Sequence, residues 1–212
     1  MRSSRRSMAG KRASSRKARG GKMRGKRASP KKEGRSKGPA TPEPDAIVLL
    51  EADPEDAGKR GMAAIKTGIS KGGKAVIISA NRPYKTLMAA YRKNGIDSQR
   101  VMVIDCVSKP NNAEIEEADN VLYLESLTDL TDILLSVRDA IGAKAGRQFI
   151  FLDSITTMLI YNKPDTYARF IHNLLTMMRV KRVGGILLYV AGGAGQEVRA
   201  EIVQLCDKVI KA

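Results

Sequence analysis

The 212-residue chain has no tryptophan, three phenylalanines, one histidine and two cysteines. Two cysteines cannot build a disulfide scaffold, and Cys106 and Cys206 both sit in apolar-flanked segments. They are expected to be buried thiols of a reducing, cytoplasmic compartment. The lone histidine, His172, falls off the apolar stripe of its segment and makes no metal site with these cysteines. No metal centre is expected. No run of about 18 apolar residues occurs, which excludes a membrane-spanning helix.

Acidic residues are also lacking, but only locally. Residues 1–42 hold 16 of the 38 Lys and Arg and a single acid, Glu33, while the other 170 residues hold 22 basic and 21 acidic groups. Nearly all of the net charge of +16 therefore belongs to the first 42 residues. These residues contain no Leu, Ile, Val, Phe, Tyr or Trp. They cannot bury enough surface to offset ordering entropy, so residues 1–44 are expected to be a disordered basic tail. With no apolar helical face the tail is not a mitochondrial presequence, and with no apolar core it is not a secretory signal.

The tail's cations come in pairs: Arg5 and Arg6, Lys11 and Arg12, Arg16 and Lys17, Lys26 and Arg27, Lys31 and Lys32. Such clusters neutralise phosphates and release condensed counterions, which makes binding strong at low salt and steeply salt-dependent. No aromatic residue is interleaved, so base stacking and sequence readout are not expected. The tail reads as an arm for nucleic acid, DNA or RNA. A solubilising segment or one lying on anionic lipid is the alternative.

From residue 45 the pattern changes. Apolar runs at 46–50, 75–79, 101–105, 121–124, 149–153 and 185–190 alternate with amphipathic stretches, and residues 207–211 add a last short run. Pro54 opens a helix to about Ser70, and Pro83 starts a second with Tyr84, Leu87, Met88 and Tyr91 at helical spacing. Ser126 and Asp129 have the form of a capping box opening a third. A long helix after Asp153 carries Tyr167, Phe170, Ile171, Leu174, Leu175 and Met178 as its stripe. Alternating strands and helices predict an α/β domain over 45–212: a three-layer parallel sheet with helices on both faces.

Three segments together carry a resemblance: KGGKAVIISANRP at 71–83, SLTDLTD at 126–132 and FIFLDSITTMLIYN at 149–162. They resemble the KaiC-like branch of the RecA superfamily of P-loop ATPases, most closely archaeal KaiC-like proteins whose phosphate loop has eroded. The match continues through RFIH at 169–172 and ends at CDKVI at 206–210. The resemblance implies a RecA-like fold and directs attention to three places. A P-loop reads G-x-x-x-x-G-K-S/T, because backbone amides cradle the phosphates and the hydroxyl holds magnesium. The corresponding run is DPEDAGKR at 53–60, in which Gly58 and Lys59 match, three acids stand where an anion should lie, and Arg60 replaces the hydroxyl. The segment SANRP at 79–83 offers no acid where the family carries its catalytic glutamate, whereas Asp153 stands at the Walker B position.

Gly58, Lys59 and Asp153 are therefore expected to be vestigial nucleotide-binding positions, with no catalytic residue, no resident cofactor and no metal. The function expected is that of a non-catalytic regulatory or assembly domain, tethered to nucleic acid by its tail and able to form a homo-oligomer or join a RecA-like partner. The alternative is a weak ATPase binding ATP and magnesium through Lys59 and Asp153 with help from a partner subunit. The cluster GGAG at 192–195 is either a flexible turn or an anion nest beside Gln196. A phosphoreceiver using Glu51, Asp53 and Asp105 lacks the lysine it needs after the fifth main strand.

Overall fold

A computed structural model describes residues 45–142, 146–193 and 195–212. The basic segment, with all ten of its paired cations, lies outside the described residues, as does Ala194 of the glycine cluster. The apolar runs form seven strands: β1 (Ile47–Ala52), β2 (Lys74–Ser79), β3 (Val101–Asp105), β4 (Val121–Tyr123), β5 (Gln148–Asp153), β6 (Gly184–Val190) and β7 (Lys208–Lys211). Every pairing is parallel, in the order β4-β3-β2-β5-β6-β1-β7. β1 and β5 are buried at every position, which is why they read as unbroken apolar runs and not as alternation.

Two helices, α1 (Pro54–Ser70) and α2 (Tyr84–Lys93), cover one face of the sheet. The other face carries α3 (Leu130–Gly142), α4 (Ile155–Tyr161), α5 (Pro164–Lys181) and α6 (Gln196–Leu205). Side chains alternate between the two cores as the pleat requires: Val48, Leu50, Ile77, Phe149 and Phe151 meet α1 and α2, while Ile47, Leu49, Ile78, Ile150 and Leu152 meet the opposite helices. The expected three-layer α/β sandwich is thus the observed one.

α1 shows how the sequence sets a packing distance. Pro54 occupies its first turn, where no amide hydrogen is missed, and Glu55 and Asp56 favour the positive end of the helix dipole. Its buried face is made of Ala57, Gly61, Ala64, Ile65, Gly68 and Ile69. Gly61 and Gly68, two turns apart, receive the rings of Phe151 and Phe149 from β5; a Cβ at Gly68 would lie 2.5 Å from the Phe149 ring. The helix lies against β5 because those two positions have no side chain.

Three sequence expectations are corrected. α3 is capped by Asp129, whose Oδ1 accepts the Asp132 amide at 3.1 Å, and not by Ser126, which accepts the Thr128 amide at 3.0 Å in a local turn. The segment after Asp153 is two helices: Ser154 caps the short α4 by accepting the Thr157 amide, and Pro164 opens α5. Cys206 is half-buried and not buried like Cys106. Burial nevertheless pushes both thiols up to about 12, with Asp105 adding for Cys106 and Asp207 for Cys206. Asp207 also fastens the start of β1, accepting the Ile47 amide at 2.8 Å, and that bond leads the causes that hold its carboxyl below the ordinary value.

Candidate functional site

In a parallel sheet ligands bind beyond the strand C-terminal ends, where neighbouring strands lead away in opposite directions. β2 and β5 are such neighbours, paired with Ser79 opposite Asp153: β2 leads outward to β3 and β5 leads back to β6. Asp153, at the end of β5, is 4 % exposed. Its Oδ2 accepts Arg82 Nη2 at 2.7 Å and its Oδ1 accepts Asn81 Nδ2 at 2.9 Å. Asn81 accepts in turn from the Thr157 hydroxyl, and the Thr157 and Ser154 hydroxyls lie 3.0 Å apart. Ser79 Oγ donates to the Arg82 carbonyl at 2.7 Å and holds the β2 exit in its turn. The Asp153–Ser154 peptide is cis. Tyr91 of α2 is buried nearby; burial pushes its hydroxyl up, while Arg82 opposes and Asp153 adds.

The other two strand-end carboxylates are also satisfied from within the chain. Asp105 accepts the amides of Tyr84 at 2.7 Å, Val107 at 2.7 Å and Ser108 at 2.8 Å, and the Ser108 hydroxyl at 2.6 Å. Glu51 pairs with Arg199 of α6, whose Nε lies 2.6 Å from Oε1 and whose guanidinium sits 5.9 Å from the Tyr189 ring centre. Among the described residues no group of three His, Cys, Asp or Glu side chains is placed to hold a metal ion.

Gly58 and Lys59 lie elsewhere. A single residue, Asp53, separates β1 from α1, so both fall inside the helix. The Lys59 side chain is 83 % exposed and stands 3.6 Å from Asp56, with no hydrogen bond or ion pair to Asp153. Four cavities, of 310, 260, 510 and 580 Å³, are lined by other residues; none of these four has Gly58, Lys59 or Asp153 in its wall. His172 is on the exposed side of α5, and Gly195 precedes α6 with φ of 88°.

The partners of Asp153 are not acids: Asn81 and Arg82 stand at the β2 exit, where the resemblance directs attention to a missing glutamate. Their signal was the register: a strand-end carboxylate opposite Ser79 places whatever follows Ala80 against it. Glu51 and Arg199 are 148 residues apart and gave no local signal.

The pair between Arg82 and Asp153 makes a measurable claim. Arg82→Ala leaves a buried carboxylate with Asn81 as its remaining side-chain partner, and is expected to cost about 2 kcal/mol, discounted because the Arg82 side chain is 33 % exposed. Asp153→Asn frees an arginine that water can reach and is expected to cost less than half as much. Urea denaturation of the two variants distinguishes these orders.

Two solved structures share this architecture. The uncharacterized protein PH0321 from Pyrococcus horikoshii, solved in complex with an unknown peptide, is 14 % identical with a TM-score of 0.63, over 79 % of this chain and 77 % of that one. The KaiC-like protein PH0186 from the hyperthermophilic archaeon Pyrococcus horikoshii OT3 is 16 % identical with a TM-score of 0.58, over 81 % of this chain and 72 % of that one. At these identities the likeness shows the fold: a KaiC-like, RecA-type sheet, as the sequence motifs implied. None of the curated proteins matches the chain. Residues 46–212 match the family of unknown function DUF7504 throughout, and the chain belongs to that family.

Proposed function

We propose that residues 45–212 act as a non-catalytic regulatory or assembly domain and that residues 1–44 tether it to nucleic acid. The observation that carries the first half is the Arg82–Asp153 pair. A Walker B carboxylate serves a magnesium–triphosphate only if its oxygens are open to the metal's shell; here one is taken by a guanidinium at 2.7 Å and the other by an amide at 2.9 Å. The start of α1 supports the same conclusion. It presents Asp53, Glu55 and Asp56 where a triphosphate would approach, and like charges there raise the free energy of the complex. The residues present do not fit a magnesium-bound nucleotide. The peptide held by PH0321 is consistent with a binding role for such a fold.

The second half rests on the paired cations of the tail and their counterion release. Self-assembly of the domain would multiply the tails on one particle and raise avidity through effective concentration. The test is calorimetry of the full chain with ATP and magnesium: no saturable heat is expected. Saturable binding lost in Lys59→Ala or Asp153→Asn would make the protein a nucleotide binder instead, and release of phosphate would then make it an atypical ATPase.

A further inference from the structure

The domain is close to charge-neutral as a whole, but basic residues gather along one edge of the sheet. Because every strand is parallel, all seven begin on one edge and end on the other. On the starting edge, Arg100 stands directly before β3, Lys71 and Lys74 lead into β2, Arg147 precedes β5, and Lys181 and Arg182 precede β6. These four strands are adjacent in the sheet, so basic side chains line an unbroken run of strand starts. Lys71, Arg147, Lys181 and Arg182 are exposed, and Lys74 and Arg100 are half-buried. The acids of the same edge include Asp45, Asp97, Asp119 and Asp207, with Glu116 and Glu117 beside Asp119; Asp97 lies 3.5 Å from Arg100, and Asp207 lies 3.1 Å from Arg179. The opposite edge holds Glu51, Asp53, Glu55, Asp56, Asp105 and Asp153, with Arg199, Lys59 and Arg82 paired to Glu51, Asp56 and Asp153.

Helix dipoles explain part of this gathering, since helices antiparallel to the strands end on the basic edge and favour cations there. That accounts for Lys181 and Arg182, at the end of α5, and for Lys71, which caps α1. Arg147, five residues beyond α3, and Lys74, at the start of β2, stand outside that effect and have interactions of their own within the chain. Arg147, Lys181 and Arg182 also wall a hollow of 510 Å³, with Asp45 and Gln148 beside them.

We infer that this edge is a contact surface for the backbone of duplex nucleic acid. Strands lie about 4.8 Å apart, so the run from β3 to β6 spans roughly 14 Å. A duplex carries one charge per about 1.7 Å of axis, or roughly eight phosphates over that length. No exposed aromatic lies among the strand starts; the large exposed aromatic of the described residues is Tyr161, at the end of α4. Without a stacking platform the edge suits a regular backbone and not splayed single-stranded bases. The inference rests on the reading of the basic tail as a nucleic-acid arm.

The experiment is fluorescence anisotropy of the full chain with a 20-base-pair duplex of mixed sequence, titrated in sodium chloride. The combined variant Lys71→Gln, Lys181→Gln, Arg182→Gln is expected to flatten the slope of log K against log salt by about 2 to 3, at about 0.9 per lost phosphate contact. The combined variant Lys85→Gln, Lys109→Gln, Lys163→Gln removes the same charge from elsewhere and is expected to leave the slope near that of the parent chain. Circular dichroism of both variants checks that the fold is retained. Equal slopes for the two variants overturn the inference. If neutralising the tail then abolishes binding, the tethering reading stands without it. A parent chain that binds no duplex overturns both, and an edge-dependent response to anionic vesicles alone overturns the choice of nucleic acid.

Discussion

Neutralising the ten paired cations of the tail to glutamine is expected to cost at least about 100-fold in nucleic-acid affinity near physiological salt. The estimate follows from counterion release. Six to ten phosphate contacts carry a salt dependence of about 10³ to 10⁵ between 50 and 200 mM, and the tail supplies most of the chain's excess charge. The salt slope is expected to collapse along with the affinity, and binding to different sequences should weaken equally, because nothing in the tail reads bases. Treating tail and domain as separate parts predicts an unchanged melting temperature. A filter-binding series over salt, beside a thermal melt, measures both. Retained affinity in the neutralised chain would remove the tether.

Gly68→Val is expected to be the most damaging single substitution on α1, at about 3 kcal/mol, the upper range for overpacking. The added Cβ would lie 2.5 Å from two carbons of the Phe149 ring. That ring cannot retreat, because Phe149 is 5 % exposed and β5 is paired on both sides. For a domain of this size the loss corresponds to a fall of roughly 6 to 12 °C in melting temperature. Phe149→Ala alone opens a cavity and costs about 3 to 5 kcal/mol. The two changes together are expected to cost clearly less than their sum, since each relieves the defect of the other. Gly58→Ala makes the contrast within the same helix: a Cβ there meets nothing within 4 Å, so it should be neutral or slightly stabilising. Thermal melts of the four variants test the packing directly.

The strands and most helices were legible because buried parallel strands leave continuous apolar runs and surface helices leave stripes. α4 was not: at seven residues it is too short to show a period, and only the Ser154 cap and Pro164 mark its limits. Asp129 was passed over as a cap because Ser126 stood at the spacing that a capping box requires. In the candidate site Asp153 was legible from its flanking residues, whereas Arg82 was visible as a residue but not as a partner. What joins them is sheet register, a relation between segments 71 positions apart that no local pattern encodes. Lys59 lies apart from both, inside α1. Its neighbour Gly58 completes a two-residue match, but the spacing from β1 to α1 leaves no loop to make that match chemical.

The strand order has a consequence for how the protein is made. β1 is the first strand to be synthesised, yet both its neighbours, β6 and β7, come last, and the amide of Ile47 waits for Asp207. At about 5 to 20 residues per second a ribosome needs on the order of ten seconds to travel from one to the other. During that interval a nascent chain displays an apolar strand with neither edge covered, directly behind a segment dense in positive charge.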